Sequence, residues 1–96
     1  MNRSFICLKI EGKYLYLNRY TADIWQLSNP SFYLGNVADW HYSNREEDWK
    51  SDIPEPLRRK KIREAVNMYL LSSEGKRVKM SDLPQEYQLF CKTFNL

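Results

Sequence analysis

Ninety-six residues with a net charge of +3, 43% hydrophobic and 28% charged side chains describe one small folded domain, residues 1–96. The low-hydrophobicity, high-charge signature of disorder is absent, no apolar run approaches the ~20 residues of a membrane helix, and a surplus of +3 is neither a nucleic-acid-binding signature nor an acidic DNA mimic. The opening residues Met-Asn-Arg-Ser-Phe-Ile-Cys meet charges at Lys9 and Glu11, which leaves no signal-peptide core and points to a cytoplasmic chain with no membrane association.

Residues 4–18, SFICLKIEGKYLYLN, read as an antiparallel β-hairpin with Glu11-Gly12 as a two-residue turn. Pairing outward from that turn sets Leu8 opposite Leu15 and Ile6 opposite Leu17. One face then carries Ile6, Leu8, Ile10, Leu15 and Leu17, the other Phe5, Cys7, Lys9, Tyr14 and Tyr16. Residues 19–28 fit a strand or a helix. Asn18 or Thr21 as a cap ahead of Ile24, Trp25 and Leu27 favours the helix, which Asn29-Pro30 would end. Between 31 and 50, SFYLG suggests a short strand, NVADWHYSN a short helix with Val37, Trp40 and His41 on one side, and REEDWKSD a polar stretch around Trp49.

Residues 53–73 form the clearest helix, with Ile62, Val66, Tyr69 and Leu70 in one apolar stripe and Gly75 as its stop signal. KRVKM then reads as a short edge strand with Val78 and Met80 inward. Residues 83–94 read as a final helix presenting Tyr87, Phe90, Cys91 and Phe94. The expected fold is α+β: an N-terminal antiparallel β-hairpin, extended to three strands if one more joins it, packed against a long central helix and a C-terminal helix. The echo of SDIPE at 51–55 in SDLPQ at 81–85 falls at both helix starts. Asp52 with Glu55 and Asp82 with Gln85 have capping-box spacing, and Pro54 and Pro84 suit a first turn. The segments diverge at once afterwards, so the echo is one start device used twice rather than a functional repeat.

Catalytic and metal-binding patterns are missing. The single histidine, His41, excludes a histidine cluster, and Cys7 and Cys91 lack a C-x-x-C spacing. Gly-rich phosphate loops, G-x-S-x-G and H-E-x-x-H are also absent. Cys7 with His41 is the one conceivable nucleophile pair, against which stands Cys7 as a small packed strand residue. Glu46-Glu47-Asp48 reads as a solvated acidic loop. The expectation is therefore no enzyme, no cofactor and no bound metal.

Two surfaces remain as candidate binding sites. Arg58, Arg59, Lys60, Lys61 and Arg63 crowd the start of the central helix, where the dipole disfavours cations. Either nearby carboxylates (Asp52, Glu55 and the 46–48 run) neutralise them, Glu55 and Arg59 being an i,i+4 pair, or an anionic partner does. The second surface is the hairpin face with Tyr14 and Tyr16, beside Phe5 and Lys9, which either anchors a partner or is covered by a helix; Trp49 joins the aromatic anchors. The leading reading is a small cytosolic regulator, adaptor or inhibitor that engages a protein or nucleoprotein partner with an acidic surface. The rival is a nucleic-acid binder with the basic helix on phosphates and the tyrosines stacking bases. An exposed apolar hairpin edge would leave room for a homodimer.

A third alternative comes from a resemblance. In LNRYTADIWQL, Leu17 to Leu27, Leu-Asn is followed by Ile-Trp seven residues after the leucine. This resembles the strand-to-first-helix junction of PqqD-like peptide-recognition domains. Membership would imply a strand-first domain of this length that binds a leader peptide by strand addition and delivers it to a modifying enzyme. NPSFYLGNVADWHYSN departs from that family's pattern.

Overall fold

The computed structural model describes residues 5–93 apart from 29, 44, 47 and 51. Over these residues the fold is α+β, a five-stranded sheet with three α-helices. Strands β1 (Phe5–Ile10), β2 (Lys13–Asn18), β3 (Asp23–Leu27) and β4 (Phe32–Asn36) form an antiparallel meander. Helices α1 (Val37–Ser43) and α2 (Glu55–Ser72) follow. A two-residue strand β5 (Lys76–Arg77), a 3-10 turn (Met80–Asp82) and α3 (Gln85–Thr93) end the described chain. The strand order is β4-β3-β2-β1-β5.

The hairpin has the expected register, Ile6 opposite Leu17 and Leu8 opposite Leu15. Its turn places both Glu11 (φ 50°) and Gly12 (φ 79°) in the left-handed region. That is the twist a two-residue loop needs to match right-twisted strands. Alternation on β1 and β2 then serves two cores. Ile6, Leu8, Leu15, Leu17 and Ile24 meet Val37, Ala38 and Tyr42 of α1, Ile62, Ala65 and Val66 of α2, and Trp49. On the opposite face Cys7, Tyr16 and Leu27 meet Leu83 and Cys91, with Phe5, Tyr14, Trp25, Val78, Met80, Tyr87 and Phe90 packed around them. The sheet is therefore the middle of three layers. Complete burial of a leucine such as Leu17 contributes about 1.5–3 kcal/mol, which makes the paired central strands the anchor of the fold.

The stretch expected as a helix after β2 is a turn followed by β3. Its start chemistry is real but brief. The Asn18 side chain accepts the Tyr20 amide at 2.8 Å and the Thr21 amide at 3.2 Å, as a helix cap would. The Ala22 amide then closes the turn on the Asn18 carbonyl at 2.8 Å. Ala22 is left-handed (φ 69°), which sends the chain back along β2, where Leu17 pairs Ile24 and Tyr16 pairs Trp25. Ile24 faces one core while Trp25 and Leu27 face the other. A strand covered on both faces shows no apolar–polar alternation, so its pattern passes for a helix. The strand-to-helix junction that the PqqD-like resemblance requires is thus a strand-to-strand junction.

Beyond it, SFYLG becomes β4 and NVADWHYS becomes α1. The buried side of α1 is Val37, Ala38 and Tyr42, with Trp40 exposed, rather than the expected Val37, Trp40 and His41. KRVKM supplies β5 beside β1, with Val78 and Met80 against the second core. Gly75 does not cap α2. The helix ends at Ser72, with the Ser73 amide on the Tyr69 carbonyl, and a Cβ at Gly75 would collide with Ile10.

Both echo segments do open helices by one device, but it is not a capping box. Pro54 and Pro84 sit just ahead of the first helical residues. Each prolyl carbonyl accepts two amides: Leu57 and Arg58 at 3.0 Å in α2, Tyr87 at 2.9 Å and Gln88 at 3.1 Å in α3. No side chain caps α2. Asp82 belongs to the 3-10 turn, and Asp52 is left-handed (φ 46°), so neither occupies a cap position. The expected roles of Asn29, Glu47, Ser51 and Phe94 lie outside the described residues.

Candidate functional site

Helix α2 lays one stripe on the sheet and turns the other outward. Its composition, rich in Leu, Arg and Lys without a β-branched run, favours a regular helix. Regularity spaces Arg59 and Arg63 one turn apart on the same side. The β2–β3 turn meets them there, and Arg19, Tyr20, Arg59 and Arg63 line a cleft of about 340 Å³. The Arg59 guanidinium lies 4.1 Å from the centre of the Tyr20 ring, and its Nε is 3.5 Å from the Glu55 carboxylate. Stacking and the ion pair hold that guanidinium in a set orientation. Among the described residues, neither Arg19 nor Arg63 has a carboxylate within ion-pair distance, so the cleft carries three positive charges against the single carboxylate of Glu55.

The five cations at the start of α2 therefore separate into distinct roles. Arg58 turns inward. Its Nη2 donates to the Lys50 carbonyl at 3.0 Å and its Nη1 is 3.8 Å from Glu55, so it ties the incoming segment to the helix. Lys61 lies over Tyr42, its ammonium 5.0 Å from the ring centre. Arg59, Lys60 and Arg63 are exposed and available to a partner. Of the expected local neutralisation, Glu55 supplies the carboxylate beside Arg58 and Arg59. Asp39 instead pairs with Lys50 at 2.9 Å and accepts the Trp49 indole N–H at 2.9 Å. The i,i+4 pair of Glu55 with Arg59 forms as the spacing predicts.

A second depression on α2, about 480 Å³, is lined by Leu57, Lys60, Lys61, Arg63, Glu64, Asn67 and Met68. Leu57 and Met68 leave about two-fifths of their surface exposed there. Arg63 belongs to both clefts.

The aromatic surface is placed differently from the expectation. Tyr16 is 3% exposed and lies under α3, with Phe90 edge-on at 6.2 Å. Tyr14 is half-buried against Tyr87 at 5.8 Å. Trp49 is 9% exposed in the first core. These three rings hold layers together and leave no open platform: α3 covers Tyr14 and Tyr16, and Trp49 is buried in the first core. The exposed ring beside the cations is Tyr20, 52% exposed, which sequence reasoning assigned to a cap-and-helix segment. Its signal was Arg19-Tyr20 in a turn next to a basic helix, legible only once the turn was known to fold back.

Cys7 and His41 do not meet: Cys7 faces the α3 side of the sheet and His41 rides on α1 across it. Cys7 and Cys91 are both buried and free. The hydrogen bond with Cys91, together with burial, pushes the Cys7 thiol up, so it stays protonated and a poor nucleophile at neutral pH. Among the described residues no three His, Cys, Asp or Glu side chains converge as a metal site needs. No described helix is long and apolar enough to cross a membrane.

β3 flanks one side of the hairpin, and β5 covers the other at Leu8 and Lys9. The sheet's exposed apolar edge is β4, where Phe32, Tyr33 and Leu34 face solvent. Compared with protein families, curated proteins and solved structures, the chain has no significant match.

Proposed function

We propose that this protein is a small non-enzymatic binding protein, an adaptor or inhibitor, that docks the outward face of α2 on an acidic surface of a larger protein partner. The observation that supports this reading is the convergence of Arg19, Arg59 and Arg63 on one cleft with a single carboxylate in reach. A cationic concavity on a rigid helix steers an acidic partner and fixes its register. The cytosol is the compartment that two free, buried cysteines suit. A nucleic-acid role would have to do without base stacking on Tyr14 and Tyr16, since both are under α3.

The test changes Arg59, Lys60 and Arg63 to Glu together. It leaves Arg58, which braces the Lys50 segment, in place. Affinity capture with the wild-type chain and the variant, each with and without nuclease, should recover a discrete acidic protein that survives nuclease and is lost in the variant. Recovery of nucleic acid alone, with a log–log salt slope near −0.9 per phosphate contacted, would replace this reading with the nucleic-acid one. Unchanged capture by the variant would remove the basic face from the interface.

A further inference from the structure

We infer that the partner presents a phosphorylated side chain to the Arg19–Arg59–Arg63 cleft and an apolar side chain to the adjoining depression, so that docking depends on phosphorylation. This inference rests on the binding role proposed above and narrows it. Three features support it.

The first is the kind and arrangement of the cations. All three are arginines, and they approach from two directions, Arg19 from the β2–β3 turn and Arg59 and Arg63 from α2. A carboxylate has one negative charge and two coplanar oxygens, which one guanidinium fork satisfies. A phosphate monoester carries about −1.5 to −2 charges and three tetrahedrally disposed oxygens, which calls for donors from several directions. The second is preorganisation. Tyr20 and Glu55 hold Arg59, and the Asn18 side chain holds the turn that bears Arg19 and Tyr20. Arg59 therefore has little side-chain freedom to lose on binding, and Arg19 starts from a fixed backbone.

The third feature selects a protein segment over a polynucleotide. The neighbouring depression shares Arg63 and adds Lys60 and Lys61, but it is walled by Leu57 and Met68 and includes the Glu64 carboxylate. A strand of repeating phosphates would meet that carboxylate and those apolar walls at its next residue. A peptide with one phosphorylated side chain followed by a leucine-like one would fill both clefts at once.

The probes are three nonapeptide libraries with a fixed central phosphoserine, serine or glutamate and otherwise random positions, measured by fluorescence polarisation against the full chain. The phosphoserine library should bind at least ~10-fold tighter than the glutamate one, and selection should enrich Leu, Ile or Met at one flanking position. With the selected peptide, Arg19→Gln and Arg63→Gln should each weaken binding by ~10-fold or more, the scale of a lost charge-assisted contact. Met68→Glu should abolish the apolar preference while keeping phosphate dependence. All three positions lie outside the two cores, and circular dichroism verifies that the variants fold. Equal binding of the phosphoserine and glutamate libraries, both lost when Arg59, Lys60 and Arg63 become Glu, overturns the phosphate dependence and leaves the acidic-partner reading standing. Stronger binding to a 5′-phosphorylated oligonucleotide than to the selected peptide overturns the choice of a protein segment. Binding that ignores the triple Glu variant overturns both readings.

Discussion

Removing the hydroxyl of Tyr42 tests whether α1 and α2 are held together in the way the site requires. Tyr42 is fully buried. Its hydroxyl lies 2.6 Å from the Lys61 carbonyl and 2.9 Å from the Glu64 carboxylate, sharing one proton between them. The bond reaches α2 at the residue between Lys60 and Ile62, so it sets the helix beside the cationic cleft. In Tyr42→Phe the ring stays and the Lys61 carbonyl keeps its place in the α2 ladder. The loss is one net hydrogen bond with some ionic character, about 1–2 kcal/mol. At about 4–8 °C per kcal/mol for a domain near this size, Tm should fall by roughly 5–15 °C. Urea unfolding followed by tryptophan emission should show a lower midpoint with an unchanged slope. Glu64→Gln retains an acceptor and should cost less than about 0.5 kcal/mol, and Lys61→Gln leaves the backbone acceptor untouched. A Tyr42→Phe midpoint equal to that of the wild type would refute the claim that this hydroxyl bridges the helices.

Three further measurements address the sheet. Gly35 has φ +149°, and a Cβ there would come within 2.5 Å of the Trp40 ring; Gly35→Ala should cost about 2 kcal/mol or more in urea unfolding, from backbone strain plus displacement of the ring. Glu11 is exposed and left-handed in the hairpin turn (φ 50°), so Glu11→Asn should stabilise the fold by about 0.5–1 kcal/mol; a loss of stability would contradict the turn geometry. The Tyr33 hydroxyl donates to Asp23 at 2.8 Å, and this hydrogen bond to a carboxylate pushes its pKa up to about 12. Because the folded value lies above the ordinary 10.0, the associated stability is fully present below pH 10 and is lost as pH rises towards 12. An ultraviolet titration should show Tyr33 ionising late together with Tyr16 and Tyr69, which burial raises, and Asp23→Asn should take Tyr33 alone out of that late group.

Local chemistry by itself determined the hairpin, the two longer helices and the α+β class. The Glu11-Gly12 turn pins the register of everything on either side of it, and the stripe through Ile62, Val66 and Tyr69 has only one way to face a core. The cations of α2 were equally legible, since five of them crowd within six positions. Tertiary structure decided which of those cations reach outward. Arg58 bends to the Lys50 carbonyl, while Arg59 and Arg63 meet Arg19 across a turn that local pattern read as a helix start. The misreading has a physical cause. Asn18 supplies the same side-chain hydrogen bonds to a single turn as to a helix, and the chain continues as strand rather than helix only because β3 finds β2. Tertiary structure likewise decided the fate of the rings. Alternation along β2 separates Tyr14 and Tyr16 from the leucines but says nothing about what lies above them, and α3 from the far end of the chain covers them. Whether a face is buried depends on a partner remote in sequence, so a strand's own residues specify its two sides and leave their covering to the rest of the fold.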